Sequence, residues 1–234
     1  FPWSSEYKLE DMPDHWEIAG ILGEIGKYVD EHKMRLTSHP GPFNVLTSPH
    51  EHVVENCIKD LSIHGEVFDM MGLSRTPYNK INIHIGGAYG DKVSAMERFC
   101  ENFHRLPNSV KSRLTVENDD KATMYSVKDL YEGVYCKIGI PIVFDYHHHR
   151  FCTGGLSEED ALEVAVSTWG DVVPVVHYSE SRNIEQEDDK IRPQAHSDYV
   201  YDYIDTYGNE VDIMVEAKAK ELAVLKYKEI HEVV

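Results

Sequence analysis

Six short apolar runs, each ending at or near a histidine or a carboxylate, constrain this chain more than any other feature of its sequence. Arg35-Leu36-Thr37-Ser38 leads into His39, and Ile81-Asn82-Ile83-His84-Ile85 carries His84 within it. Leu114-Thr115-Val116 runs into Glu117-Asn118-Asp119, and Pro141-Ile142-Val143-Phe144 into Asp145-Tyr146-His147-His148-His149. Val172 to Val176 precedes His177, with His196 further along, and Val211-Asp212-Ile213-Met214-Val215 precedes Glu216. Runs of this length, rich in Val and Ile, are expected as buried strands. Helix-start chemistry lies between them. Ser48-Pro49-His50-Glu51 offers an N-cap, a first-turn proline and a capping-box glutamate for a long helix towards Met71. Ser126 with Asp129, and Ser157 with Asp160, offer two more capping boxes, the second before a helix from Ala161 to Trp169. Asp91 is placed to cap the helix carrying Ala95, Met96 and Phe99. Strands alternating with helices at intervals of about 30 to 45 residues predict βα units and a mainly parallel sheet. No Gly/Ser-rich linker or repeat interrupts them, so the expectation is one domain over residues 1–234. The polar stretch Ser179 to Ser197 is expected as a loop or flap.

Composition narrows the function. The 234 residues carry 41 acidic against 23 basic side chains, a formal net charge of -18. That balance argues against gripping nucleic acid by general electrostatics, but it leaves room for a site whose positive charge comes from bound metal. With 41% hydrophobic residues the chain is an ordinary globular one, and no apolar run approaches the roughly 20 residues that span a bilayer. The start, Phe1-Pro2-Trp3-Ser4-Ser5, lacks Met and is no signal peptide, which predicts a processed or truncated chain. Cys57, Cys100, Cys136 and Cys152 form no C-x-x-C pair, so a thiolate zinc site is not expected and the thiols read as reduced.

In α/β barrels the C-terminal ends of the strands gather the catalytic residues. A single strand-end histidine carries little weight, but six runs in succession that deliver a donor point to a metal site. Imidazole and carboxylate without thiolate suit Mn²⁺, Zn²⁺ or Fe²⁺ rather than a structural zinc. So many donors imply more than one ion, with Glu117 able to bridge, and adjacent ions suit phosphoester hydrolysis.

The run Pro141-Ile142-Val143-Phe144-Asp145-Tyr146-His147-His148 resembles the UV damage endonuclease family. The resemblance extends through Ser38-His39-Pro40-Gly41, His84-Ile85-Gly86-Gly87, Leu114 to Asp119, His177-Tyr178-Ser179, His196-Ser197-Asp198-Tyr199 and Glu216-Ala217-Lys218, in the family's order. It implies an α/β TIM (β/α)8 barrel related to endonuclease IV, with two or three divalent ions, manganese first and zinc, iron or magnesium as alternatives. It implies cutting of damaged double-stranded DNA immediately 5′ to cyclobutane dimers and (6-4) photoproducts, which initiates excision repair without a nucleotide cofactor or a membrane. The implied metal ligands are His39, His84, Glu117, Asp145, His148, His177, His196 and Glu216, with Glu117, Asp145, His177 and Glu216 as the catalytic group. Strand ends pick out the same set except for the choice of His148 among three neighbours, and His147 and His149 read as outer or surface residues. The implied location is the cytoplasm of a prokaryotic or viral host, or a eukaryotic nucleus.

Three departures from the family pattern matter. Where the family has Gln followed by Tyr or Phe after His-Pro-Gly, this chain has Pro42-Phe43. Phe43 can still wedge or stack, or else pack within its loop, and Tyr146 is the other aromatic expected to fill the gap left by extruded bases. Val175 stands where some members carry a lysine, so no lysine role is transferred. Lastly, eight strands are implied and six are visible, so the chain is expected to lack its first two βα units, roughly 60 to 70 residues. Two other enzyme readings stand beside the first: an endonuclease IV-like abasic-site nuclease, and a metal-dependent sugar isomerase of the same superfamily. A third is a homologue that binds without cutting. Lys218 and Lys220, after Glu216, read either as phosphate contacts or as solvated helix residues.

Overall fold

The computed structural model describes residues 8–232, so Phe1-Pro2-Trp3-Ser4-Ser5 lies outside the described residues. Packing divides the chain into two compact units, Phe1–Val116 with Gly133–Pro141, and Glu117–Glu132 with Ile142–Val234. No helix among the described residues is long and apolar enough to cross a membrane.

The first unit opens with two helices, α1 (His15–Glu31) and α2 (Glu51–Met70). Strand β1 (Ile81–Ile83), helix α3 (Lys92–Phe103) and strand β2 (Leu114–Glu117) follow. β1 and β2 pair in parallel with Ile81 beside Leu114 and Ile83 beside Val116. Buried Thr115 donates its hydroxyl to the Asn82 side chain at 2.8 Å, which satisfies both polar groups inside the pair. Asp91 caps α3 as expected, accepting from the amides of Val93 and Ser94. The helix expected from Ser48 begins at Glu51 instead. Ser48 is buried and accepts from the His50 amide at 3.1 Å, so its hydroxyl closes the preceding turn rather than the helix. Likewise the run Arg35 to Ser38 makes only one parallel bridge, Ser38 to Ile81. Arg35 turns away to donate to the Tyr78 carbonyl at 2.7 Å.

In the second unit β3 (Ile142–Asp145) leads to α4 (Glu158–Ser167), β4 (Val175–Tyr178), β5 (Asp212–Val215) and α5 (Glu221–His231). The capping boxes expected at Ser126 and Ser157 both form their serine-to-amide bond. β3 pairs in parallel with β4, and β4 with β5. Trp169 pins the return of α4: its indole N–H donates to the Ile142 carbonyl at 2.8 Å while the ring packs on Val143 and Val175. β4 lies three residues later than its apolar run, because Val172 to Pro174 is spent on the turn after Trp169. The Val172 amide bonds the Trp169 carbonyl, and Pro174, which has no N–H, serves only as an acceptor for Asp212. The Ser179–Ser197 stretch is a loop with one helical turn, Arg182–Glu185, closed by an antiparallel bridge between Ser181 and His196.

α1 was not marked by the sequence patterns, since Gly20, Gly23 and Gly26 dilute its helical signal. They are not equivalent. A Cβ at Gly26 would overlap the Met71 carbonyl oxygen at the end of α2, whereas nothing lies within 4 Å of a Cβ at Gly20. Gly20→Ala is therefore expected to stabilise the chain by about 0.5 to 1 kcal/mol, and Gly26→Ala to destabilise it by about 1 to 3 kcal/mol. Urea titrations of both variants against the parent chain check the opposite signs.

Candidate metal centre

In the first unit, parallel pairing at Ser38 sets two strand ends side by side. The Ser38 amide bonds the Lys80 carbonyl at 2.9 Å, and the Asn82 amide bonds the Ser38 carbonyl at 2.8 Å. His39 and His84 follow directly, with ring centroids 5.8 Å apart, His39 exposed and His84 half-buried. Pro42 and Phe43 stand on the next loop, both exposed. Phe43 is 78% exposed, so of the two readings open for it, packing within the loop is not what this structure shows.

The second unit assembles the remaining six residues by strand register. Asp145 ends β3 opposite His177 in β4, and Tyr178 pairs with Val215, so Glu216 emerges one residue beyond. Glu117 and Asp145 are completely buried, His177 is 1% exposed and His148 is 8% exposed. Glu117 sits between two imidazoles, with Oε1 3.3 Å from His148 Nδ1 and Oε2 3.2 Å from His177 Nδ1. His177 Nδ1 is also 2.9 Å from Glu216 Oε1, and His196 Nδ1 lies 3.7 Å from Glu216 Oε2. Glu117, Asp145 and His148 each offer a donor atom within 4.8 Å of the other two. Donor atoms around an ion with bonds of about 2.1 Å stand about 3 Å apart, which is the spacing of these pairs.

The electrostatics are compatible with a bound cation. Burial raises the Asp145 carboxyl to about 6; nearby His148 and His177 work against the rise and Glu117 adds to it. Burial opposes a charged His148, yet Asp145 and Glu117 outweigh it and lift the imidazole to about 10. Asp145 Oδ2 is buried without a hydrogen bond, His148 Nδ1 lying 3.7 Å away. Two buried carboxylates with imidazole neighbours and one unsatisfied oxygen fit a divalent ion that takes oxygen and nitrogen donors.

Several neighbours were not anticipated. Asn118 brackets Asp145, accepting from its amide at 2.8 Å and donating to its carbonyl at 3.0 Å, while its own carbonyl lies 3.0 Å from His148 Nδ1. The only sequence signal was its place beside Glu117. Glu180 accepts from the amides of Tyr201 and Asp202, and Glu185 from those of Asp198 and Tyr199, which fixes the loop bearing His196. His147 and His149 are buried rather than at the surface. Burial pushes the His147 imidazole down to about 4, and its ring packs edge-on against Phe151 and His196. Tyr146, expected to meet DNA bases, is 1% exposed, with its hydroxyl donating to the Asp205 carbonyl at 2.8 Å and its ring between Phe144 and Tyr178. A ring held this way is part of the core and has no free face for stacking.

The chain matches the model of the family described as UV-endonuclease UvdE over residues 7–233. It belongs to that family. A UV DNA damage endonuclease from Bacillus mycoides (strain KBAB4) is 39% identical over 221 residues, covering 89% of this chain and 66% of the relative. One from Bacillus cereus (strain Q1) is 38% identical and is covered to 65%. The chain thus spans just under two thirds of the length of these curated relatives. The crystal structure of SacUVDE superposes on 98% of this chain and 75% of its own with a TM-score of 0.82 at 33% identity. A D-tagatose 3-epimerase-like protein, 13% identical with a TM-score of 0.64 over 94% of this chain and 82% of its own, shares the fold alone. The α/β fold of TIM-barrel type that the family resemblance implied is the fold of these neighbours.

The UvdE-family chain is expected to bind Mn²⁺ saturably in calorimetric titration, releasing protons on binding and binding more tightly as pH rises, since imidazoles ligate only when neutral. Glu117→Gln removes the charge between His148 and His177 and is expected to weaken binding at least about tenfold. Unchanged binding in that variant would remove Glu117 from the metal site.

Proposed function

We propose that the chain is a metal-dependent UV damage endonuclease that hydrolyses the DNA phosphodiester immediately 5′ to cyclobutane dimers and (6-4) photoproducts. The observation that carries this reading is the fully buried Glu117 carboxylate, shared between His148 and His177 in a chain of the UvdE family. His39, His84, Glu117, Asp145, His148, His177, His196 and Glu216 hold two or three divalent ions, manganese foremost, and both compact units act as one nuclease domain. The support for this set is the family motif order together with the donor geometry inside each unit. When bound, the ions acidify water and neutralise the charge that develops on the phosphate.

The residues do the holding and aligning. Glu117 directs Oε1 towards His148 and Oε2 towards His177, and would hold metal together with them. Asn118 fixes the backbone of Asp145, and the His148 amide donates to Asp145 Oδ1 at 2.7 Å, which holds the carboxylate. His177 and Glu216 orient one another at 2.9 Å. No side-chain nucleophile is needed. Phe43 is the residue that meets the lesion, stacking where bases leave the helix, with Pro42 shaping its approach. Tyr146 contributes as the wall behind Tyr178 rather than as a base contact. Three divalent ions would offset about six charges locally, so the net charge of -18 is compatible with DNA binding that weakens steeply with salt. The sequence affinity to bacterial relatives and the lack of a membrane-spanning helix among the described residues suit a cytoplasmic enzyme.

The test is a labelled duplex bearing one photoproduct, incubated with Mn²⁺ and the purified chain. The expected result is a single nick just 5′ of the lesion, lost on chelation and reduced at least about tenfold by Glu117→Gln. Cutting of abasic but not photoproduct DNA would move the activity to the endonuclease IV type. Ketose–aldose interconversion without nicking would sink both nuclease readings.

A further inference from the structure

Phe43 is presented by an unusual support. On the α2 side its loop is not packed: a hollow of about 390 Å³ separates Gly41–Val45 from Val53, Asn56, Cys57 and Asp60. The loop is held instead by hydrogen bonds from side chains distant in sequence. Arg98 Nε donates to the Thr47 carbonyl at 2.8 Å, and Asn102 Nδ2 to the Leu46 carbonyl at 2.9 Å, both from α3. Asn44 Nδ2 donates to Asp60 Oδ2 at 2.8 Å, across the hollow. Asp60 in turn lies 3.8 Å from His64 Nε2, and His64 Nδ1 meets Ser38 Oγ at 2.9 Å, next to His39. From behind, Gly86 leaves no space: a Cβ there would collide with the side chains of Val45 and Thr47, and its φ of +109° is a glycine conformation. Leu46 and Thr47 are wholly buried while Phe43, a few residues away, is exposed.

A large apolar ring held out in water gains nothing from packing, and a loop fixed by three long-range side-chain bonds has lost freedom in advance. Such prior ordering reduces what binding must spend on arranging the loop. We infer that Arg98 and Asn102 of α3, with Asp60 of α2, are positioning residues that hold Phe43 as a preformed wedge for damaged DNA, so that lesion recognition depends on α3 side chains that never touch the substrate. This rests on the nuclease reading above and assigns its recognition step to a rigid device rather than to a loop ordered by DNA.

The Mn²⁺-loaded chain is assayed as parent, Phe43→Ala, Asn102→Asp, Arg98→Met and the doubles with Phe43→Ala. Steady-state cutting and Kd are measured on a duplex with one photoproduct and on its undamaged counterpart. Phe43→Ala is expected to raise KM and Kd for the lesion duplex roughly tenfold, the loss of one stacking partner, with kcat within about twofold. Asn102→Asp and Arg98→Met are expected to produce most of that same change, to leave kcat alone, and to add little once Phe43 is gone. Amide exchange at Val45 and Ser48 is expected to quicken at least about tenfold in Asn102→Asp, a readout independent of cutting. Effects that multiply with Phe43→Ala, or losses confined to kcat, overturn the positioning role while leaving the nuclease reading intact. Unaltered exchange in Asn102→Asp overturns it as well. A parent chain that neither cuts nor prefers lesion DNA overturns both.

Discussion

A carboxylate sealed from water must be compensated, and in this chain that requirement falls on Glu117. Taking an ionised carboxylate out of water costs several kcal/mol unless partners replace the lost solvation. Glu117 finds His148 on one side and His177 on the other, and His177 leans in turn on Glu216. With Glu117 itself these groups lie at or just past four different strand ends, so satisfying one buried group draws on several strand ends of the second unit. The supporting bonds follow the same logic. Asn118 fixes Asp145, and Glu180 and Glu185 tether the loop that carries His196. The polar cluster is therefore a structural problem as well as a chemical one, and the metal chemistry proposed for it is also its most natural relief.

What the sequence made legible follows from range. β1, β2, β3 and β5 announced themselves through local apolar runs, and the polar residue that ends or follows each run gave the candidate site, because the C-terminal ends of parallel strands gather on one face. The three serine or aspartate caps at Ser126, Ser157 and Asp91 were legible for the same reason, each being a bond between residues three apart or fewer. Failures came where the deciding partner was distant or the signal diluted. α1 hides behind three glycines, one of which exists for a contact with Met71 some forty-five residues on. Pro174 pushed β4 beyond the run that marked it. Asn118 answers to Asp145, and Tyr146 to the Asp205 carbonyl, neither visible to a local pattern. In the sequence His148 could be told from its two histidine neighbours only through family resemblance, whereas in the fold its Nδ1 lies 3.3 Å from Glu117 Oε1.

The contrast between Phe43 and Tyr146 shows how little residue type decides. Both aromatic rings follow proposed metal ligands, His39 and Asp145, and both looked suited to meeting bases. Tyr146 has a hydroxyl that needs a partner once buried, finds one in Asp205, and thereby becomes core. Phe43 has no polar tip, its loop bonds through backbone carbonyls and Asn44 instead, and the ring is left outside. Pro42, next to it, adds stiffness through its fixed φ but offers no donor, so any discrimination made at this loop is one of shape and stacking rather than of hydrogen-bond pattern.

The parallel register in the second unit has a consequence for how the chain reaches its native state. Side chains alternate faces along a strand, so a slip of one residue between β3 and β4 would turn Asp145 or His177 to the opposite face. Apolar packing discriminates weakly against such a slip, because Val, Ile and Phe line both faces of these strands. The cluster of donor side chains discriminates strongly, since it exists in only one alignment. Any ion that binds there therefore favours the correctly paired sheet over its nearest misfolded competitors, and the site acts as a proofreader of the strands that build it.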